Sequence, residues 1–233
     1  MKIAIMQPYF LPYIGYFQLI NIVDKFVVYD NVQYIKSGWI NRNRYLLNNK
    51  DRYFTIPVKK FSKQQNIINI EISKNYQREK ILRQFYNAYK KALCFEEIYK
   101  LLNEIIMFPS QNLFEYTFFS ISTICKYLNI NTKIYISSKI DYDNTLKSEN
   151  KVIDICNSLN GTIYINPEGG KKIYKKVNFK KFKLNLKFLH TKDYKYKQFD
   201  TKIFIPRLSI VDMLMFNSKE KVKEVITNNF FLR

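Results

Sequence analysis

The stretch KIAIMQPYFLPYIGYFQLINIVDKFVVYD, residues 2–30, decides the fold. It opens with the apolar run 3–6, which predicts a short buried strand, and Gln7-Pro8 then interrupts regular structure. The apolar run 15–22 predicts a helix, and residues 25–30, rich in β-branched and aromatic side chains, predict a second strand. A strand, a helix and a strand in this order predict two parallel neighbouring strands joined by a helical crossover.

The rest of the chain continues with elements of both kinds. Residues 45–47 and 53–58 flank the polar turn 48–51 and predict a β-hairpin. Further strands are predicted at 67–72, 132–136 and 162–165, and helices at 76–92, 95–107, 110–128 with Ser110 as N-cap, 146–159, 208–216 and from there through 226. The predicted fold class is α/β: a Rossmann-like parallel sheet core that opens with a βαβ unit and carries a β-hairpin and helical insertions. We expect residues 1–233 to form a single domain, because no repeat, linker or break in composition divides them.

The composition restricts the class of protein. At 233 residues, 47% of them apolar, the chain can bury a large core. Its first apolar run is far too short for a secretory leader or a membrane span, so we expect a cytoplasmic protein. Three separated cysteines indicate reduced core thiols, and a single histidine, His190, excludes a histidine-based metal cluster. We expect no metal held by protein side chains. A role as a general base, which needs only one histidine, is still open to His190.

The formal net charge of +20 has two interpretations. Lysine and arginine bind nucleic-acid phosphates, yet lysine, asparagine, isoleucine, tyrosine and phenylalanine are enriched together, as an A+T-rich coding sequence would produce. Within the basic stretch 171–197, interleaved aromatic residues are compatible with RNA stacking, while the alternation at 179–189 favours an edge strand with one solvated face.

Three segments are distinctive: MQPYFLPYIGYF at 6–17, DNVQYIKSGWINRNR at 30–44 and PRLSIVDML at 206–214. They resemble the WbqC-like protein family, and the resemblance spans almost the whole chain. It implies a role in surface polysaccharide biosynthesis, of O-antigen or capsule, in which a glycyl, other aminoacyl or acyl group is attached to the amine of a nucleotide-linked amino sugar. The partners implied are a dTDP- or UDP-amino sugar and an acyl donor, for which aminoacyl-tRNA is one candidate.

The bend after the first predicted strand also resembles, more faintly, nucleotidylyltransferases and pantothenate synthetase. In those proteins a proline-containing loop and an H-x-G-H helix start bind nucleotide phosphates. Tyr13 and Tyr16 stand here in place of the two histidines, which puts adenylyl transfer in doubt because tyrosine is a poor cation. Ser137-Ser138-Lys139 resembles the second phosphate motif of the same proteins and implies ATP with Mg²⁺ as cofactors if the acyl group is activated by ATP.

The candidate site lies at the carboxyl edge of the sheet, where α/β proteins bind ligands. Asp30 ends the second predicted strand there and is the candidate catalytic base, with capping of the following loop as the alternative. Arginine forks, amides and one indole suit the recognition of phosphates and sugars, although a surface loop with paired arginines has the same composition. The predicted binding residues are Gln7, Tyr13, Gly15, Tyr16, Lys36, Trp39, Asn41, Arg42, Asn43, Arg44, Ser137 and Ser138.

Two further features leave alternatives open. Gly169-Gly170-Lys171-Lys172 offers successive backbone amides to an anion, although it lacks the pattern of a P-loop. Asp212 lies in an apolar helix and needs a loop or a basic side chain as partner, with catalysis as the alternative. At the level of function, a non-catalytic RNA- or tRNA-binding module and a scaffold protein of a glycan assembly complex remain alternatives to the enzyme. The enzyme hypothesis requires the first bend and the Trp39 to Arg44 segment to meet at one anion-binding cavity.

Overall fold

A computed structural model describes residues 1–199 and 203–233. The strands are β1 Lys2–Met6, β2 Lys25–Val28, β3 Arg42–Leu47, β4 Lys50–Thr55, β5 Lys133–Ile136, β6 Ile163–Pro167, β7 Asn185–Thr191 and β8 Phe230–Leu232. The helices are α1 Ile14–Ile22, α2 Arg78–Tyr89, α3 Phe95–Ile106, α4 Leu113–Tyr127, α5 Ser148–Ser158, α6 Lys176–Lys181, α7 Ile210–Phe216 and α8 Lys219–Asn228. Within these described ranges, none of the helices combines the length and apolarity needed to cross a lipid bilayer.

The main sheet is mostly parallel. Its strand order is β5-β2-β1-β6-β7-β8, in which β8 is antiparallel and the other neighbours are parallel. From β1 the chain proceeds outward on one side through β2 and β5, and on the other side through β6 and β7, so the order reverses between β1 and β6. This is the Rossmann-like α/β fold that the opening sequence predicts, and in such sheets a crevice forms where the loops after the two inner strands diverge.

Both faces of the sheet are covered, and the alternation of side chains along the strands shows why. Ala4, Phe26 and Val28 face a large core that also contains buried residues of α1 to α4, α7, α8 and the hairpin. Ile5 and Val27, one position along, face a smaller core beneath α5 and α6. Strands buried on both faces read as continuous apolar runs, as the two strands of the opening stretch do.

The predicted hairpin is present, but its boundaries differ. Asn48 and Asn49, with φ of 50° and 60°, form the two-residue turn between β3 and β4. Such turns need a left-handed backbone at both positions, which asparagine tolerates better than most residues. Because β3 begins at Arg42, it includes Arg42 to Arg44, which lie outside the predicted hairpin strand 45–47.

Three local predictions are wrong. Residues 67–72 form a 3₁₀ helix, Ile67–Asn69, and isolated bridges, because the amides of Ile67 and Ile68 bond to the carbonyls of Val32 and Asp30 and leave no ladder. The N-cap of α4 is Asn112, whose side chain accepts from the Glu115 amide at 3.0 Å. Segment 179–189 ends α6 and begins β7, which is not an edge strand because β8 pairs with it.

Candidate functional site

The loop after β1 is held in a strained conformation by distant parts of the chain. Leu11 is fully buried with φ of 47°, in the left-handed region that costs a non-glycine residue energy. Its carbonyl accepts from Asn43 Nδ2 and from Ser209 Oγ, each at 2.8 Å. The Phe10 amide donates to the Ile40 carbonyl at 3.0 Å. The loop is therefore fixed by β3, by Ile40 two positions before β3 and by the N-cap of α7.

A cavity of about 360 Å³, the loop cavity, opens between this loop and the hairpin. It brings the first bend together with the Trp39 to Arg44 segment, as the enzyme hypothesis requires, and adds an arginine from the loop before α7. A second left-handed residue borders it, since Arg207 has φ of 56°. The residues that line the loop cavity are Tyr9, Pro12, Tyr13, Trp39, Asn43, Arg44 and Arg207.

Trp39, which lines the loop cavity, is part of an exposed aromatic stack. Trp39 and Tyr53 are stacked with ring centroids 6.3 Å apart and an interplanar angle of 23°, and their exposed fractions are 41% and 54%. The Arg42 guanidinium lies 5.0 Å from the centre of the Tyr53 ring, and its Nε donates to the Gly38 carbonyl at 3.1 Å. Arg42 thus stiffens the stack, which leaves π surface available to a planar ligand.

The other strand residues of this segment hold the walls together. Arg44 Nη1 pairs with Asp51 at 2.9 Å, and Nη2 donates to the Arg207 carbonyl at 3.3 Å. Arg44 Nε is buried without a hydrogen-bond partner among the described residues. Asn41 Nδ2 donates to the Ile56 carbonyl at 2.8 Å. The side chains of Asn41 and Asn43 are therefore bonded to backbone, while Arg44 retains one unused donor.

A second cavity of about 430 Å³, the switch cavity, lies where the strand order reverses. Its walls come from the loop after β1, the 3₁₀ helix Glu168–Lys172 that follows β6, and the end of β7. Tyr13 and Arg207 line both cavities, so the two cavities adjoin at these residues. Together, the loop cavity and the switch cavity are called the cleft. The residues that line the switch cavity are Tyr13, Pro167, Glu168, Gly169, Lys171, Lys172, Leu189, His190, Thr191 and Arg207.

The cleft carries surplus positive charge. Lys171 Nζ lies 2.6 Å from one oxygen of Glu168, and the other oxygen contacts His190 Nδ1. The bonds from Lys171 and His190 lower the pKa of Glu168, so this carboxyl is ionised. Lys172 and Arg207 form no ion pair within the part of the chain that the structure describes. Two cations are thus left to attract an anionic ligand.

Tyr13 separates the two cavities and lies across the start of α1. A Cβ added to Gly15 would be 2.4 Å from Tyr13 Oη, so any larger residue at this position would force the Tyr13 ring to move. Burial raises the pKa of Tyr13, although the Thr191 hydroxyl and the Arg207 charge act in the opposite direction. The phenol therefore keeps its proton and can donate a hydrogen bond to a ligand in either cavity.

Comparison with known proteins identifies the family. The model of the WbqC-like protein family matches residues 7–224, a range that includes both loops of the cleft. The chain belongs to the WbqC-like protein family. A relative in Mycobacterium tuberculosis, the uncharacterized protein Rv1507c, is 29% identical over 216 residues, which cover 91% of this chain and 92% of the relative. No solved structure matches the chain.

In this WbqC-like protein, three of the predicted site residues form a closed cluster away from the cleft. Asp30 is fully buried, and its Oδ1 accepts from Ser137 Oγ at 2.6 Å and from the Ser138 amide at 2.9 Å. Its Oδ2 accepts from Ser138 Oγ at 2.6 Å. Both carboxylate oxygens and both serine hydroxyls are therefore engaged with one another, at the ends of β2 and β5. Ser138 borders a separate, largely apolar cavity of about 430 Å³ beside α4.

The remaining predicted residues do not line the cleft. Tyr16 is buried in the core and donates to the Gln7 carbonyl at 2.9 Å, and Lys36 is exposed on the loop before β3. Asp212 has the loop partners that its burial demands, since it accepts from Tyr196 and from Gln198, at 2.6 and 2.7 Å. Across residues 1–199 and 203–233, no group of three or more His, Cys, Asp or Glu side chains is arranged to hold a metal ion.

Sequence reasoning missed Tyr9, Pro12 and Arg207 as cleft residues. Arg207 lies in the segment 206–214 that carries the family resemblance, three positions before the start of the apolar helix α7. A charged residue close to an apolar helix was the signal in the sequence that could have identified Arg207 as a site residue. Its position against the first loop depends on contacts between residues about 200 positions apart, such as the bond from the Ile210 amide to the Pro12 carbonyl at 2.9 Å.

Proposed function

We propose that this protein is a transferase or ligase that attaches a glycyl, other aminoacyl or acyl group to the amine of a nucleotide-linked amino sugar in surface polysaccharide biosynthesis. The observation that carries the proposal is the two-part cleft, in which the loop cavity and the switch cavity adjoin at Tyr13 and Arg207. A reaction that joins two substrates needs two adjoining subsites, and both volumes fall within the range of small-molecule sites.

The loop cavity suits the nucleotide part of a dTDP- or UDP-amino sugar. The Trp39 and Tyr53 stack offers an aromatic surface to the base, and Arg207 stands between the two cavities, where a diphosphate would bridge them. Charge-assisted hydrogen bonds from arginine to phosphate are among the strongest available to a protein. With the diphosphate at Arg207, the sugar extends into the switch cavity beside Lys172 and Tyr13.

The acyl donor approaches from the solvent side of the switch cavity. In our proposal Asp30 holds the ends of β2 and β5 together and is not the base, because its oxygens are already occupied by Ser137 and Ser138. The same bonds engage the serines that would contact ATP phosphates, so we favour a donor that arrives activated, such as an aminoacyl-tRNA, over ATP with Mg²⁺ bound at this motif. The net charge of +20 supports a donor carried on RNA.

Calorimetric titration with UDP, dTDP and ADP tests the nucleotide subsite. We expect UDP or dTDP to bind, and Arg207→Asn to weaken that binding, since asparagine tolerates the left-handed backbone but removes the charge. Arg52→Asn, on an exposed position of β4, is the matched control and should bind as the unmodified protein does. Equal loss in both variants would point to general electrostatics and against this subsite.

Mass spectrometry of amino sugars tests the reaction. The protein is incubated with a panel of dTDP- and UDP-amino sugars and either glycyl-tRNA or glycine with ATP and Mg²⁺, and the proposal predicts an acylated product with one donor system. A gel shift against tRNA over a salt series, without sugar nucleotide, tests the RNA-binding alternative. Tight tRNA binding with a steep salt dependence, together with no sugar-nucleotide binding, would favour that module. If the protein binds neither ligand and forms no acylated product, the scaffold alternative is favoured.

A further inference from the structure

The single histidine of the chain is fixed in the switch cavity by contacts on one edge and one face. His190 lies near the end of β7, and its Nδ1 contacts the Glu168 carboxylate on the turn after the neighbouring strand β6. The imidazole also packs on the Phe231 ring of β8, with centroids 4.5 Å apart and an interplanar angle of 31°. Lys171 bonds the second oxygen of Glu168 at 2.6 Å and so fixes the carboxylate as well.

The other nitrogen of the ring is available. His190 Nε2 takes part in no hydrogen bond with the residues that the structure describes, while the side chain, 33% exposed, lines the switch cavity. A neutral imidazole that donates from Nδ1 to a carboxylate keeps a lone pair on Nε2. A base oriented through its second nitrogen by a carboxylate is the arrangement that proton-transfer sites use.

We propose that His190 Nε2 is the base that removes a proton from the ammonium group of the acceptor amino sugar, with Glu168 as its positioning residue. The assignment rests on the proposed function and adds to it the group that makes the amine nucleophilic. The charged and titratable groups around the ring are Glu168 in contact, Lys171, Lys172, Tyr13 and Arg207 along the cavity, and Arg233 on the far side of Phe231.

The chemical step balances with an oxygen ester as donor, of the class that aminoacyl-tRNA provides. His190 Nε2 takes one proton from the ammonium, and the resulting amine attacks the ester carbonyl carbon, so that a C–N bond forms. The C–O bond then breaks, the imidazolium returns its proton to the departing oxygen, and the second ammonium proton passes to solvent. The products are the amide, the free alcohol and one proton, and no oxidant or reductant is required.

The tautomer of His190 gives a test that needs no ligand. Because the chain has one histidine, nitrogen NMR of the full-length protein shows one pair of imidazole signals. We expect the neutral ring to carry its proton on Nδ1, and the Glu168→Ala variant to lose that preference. A neutral ring protonated on Nε2 in the unmodified protein would overturn the assignment, since that nitrogen could not then accept a proton.

Kinetics separate this assignment from the proposed function. In the glycyl-tRNA assay, His190→Gln should lower kcat about 100-fold, the usual contribution of a general base, with the UDP dissociation constant unchanged. We also expect the rate of the unmodified protein to fall at low pH, since a protonated base cannot accept a proton. That fall should be absent in His190→Gln and shifted in Glu168→Gln. Normal UDP binding with full activity and an unaltered pH profile in His190→Gln would overturn the role of His190 alone. Failure of the unmodified protein to bind or acylate any amino sugar would overturn the proposed function, and this assignment with it.

Discussion

Two parts of the same sheet edge differ in what their polar groups are bonded to. At the ends of β2 and β5, the hydroxyls of Ser137 and of the exposed Ser138 bond the carboxylate of Asp30, which is fully buried. At the ends of β1, β6 and β7, Arg207 and His190 line an open cleft and keep donors or acceptors unused by the described residues. Both parts carry polar side chains at the carboxyl edge of the sheet. Polarity and position at the edge therefore do not by themselves identify a binding site.

This difference in hydrogen bonding predicts which property each part of the sheet edge affects, folding stability or ligand affinity. A buried polar group whose partner is removed costs folding free energy, whereas an exposed group with unused hydrogen-bonding capacity costs little when it is removed but contributes to ligand binding. Variants of the closed cluster should therefore change stability, and variants of the cleft should change affinity.

Asp30→Ala should have the largest effect, on stability. The change removes the acceptor of the Ser138 amide and hydroxyl, while the Ser137 hydroxyl keeps Asn31 Oδ1 as an acceptor at 2.7 Å. We expect the free energy of unfolding to fall by about 3 kcal/mol, measured by urea denaturation. Asp141→Ala, an exposed position on the loop after β5, is the matched control and should change stability by less than about 0.5 kcal/mol. Unchanged stability with lost UDP affinity would move Asp30 into the site.

Arg207→Asn should have the largest effect on affinity. The variant retains a residue suited to the left-handed backbone and removes the cation shared by the two cavities. We expect UDP to bind about 30-fold more weakly by calorimetry, within the range for charge-assisted hydrogen bonds, with stability unaltered. A large loss of stability would show that Arg207 belongs with the closed groups.

Trp39→Leu should weaken UDP binding about tenfold, because it removes a stacking surface without opening a core cavity. Phe182→Leu supplies the control, since Phe182 is also exposed, at 51%, and lies outside both cavities. Fluorescence of the single tryptophan reports the same event, as UDP should alter its emission. UDP binding that leaves both the Trp39 emission and the Trp39→Leu affinity unaltered would contradict the stacking role.

Asp212→Asn should change the pH dependence of stability, and the difference between pH values is the smallest effect that we expect. Burial raises the pKa of Asp212 despite bonds from Tyr196, Gln198 and Tyr89, so the folded state binds this proton more tightly than the unfolded state does. The stabilisation from this group is present at low pH and is lost as pH rises through the folded pKa. The stability of the unmodified protein relative to Asp212→Asn should therefore decrease as pH rises above about 4, the ordinary pKa of an aspartate. An increase above that pH would contradict the raised pKa.

The sequence was informative about elements and less so about partners. The periodicity of residues 2–30 predicted β1, α1 and β2, because the two strands are apolar along their length and buried on both faces. It placed a strand at 67–72 that does not form, because the bonds of those amides go to the loop after β2. The local pattern of apolar residues indicates a propensity for strand or helix, whereas the tertiary structure decides which carbonyl an amide bonds to.

The same limit applies to the site. The sequence singled out Tyr13 by its place after the first strand, and Trp39, Asn43 and Arg44 because an indole, an amide and an arginine fork suit phosphates and sugars. All four line the cleft. The sequence also singled out Asp30 and the two serines, whose mutual bonds join positions 107 or more residues apart in the chain. Arg207 escaped notice for the corresponding reason, since its proximity to the first loop follows from long-range contacts.

A crystal structure with a bound UDP-amino sugar tests the central claim most directly. The account predicts the base against Trp39, the diphosphate within hydrogen-bonding distance of Arg207 and the sugar amine facing His190 in the switch cavity. A ligand bound at Ser137 and Ser138, with the cleft empty, would contradict it.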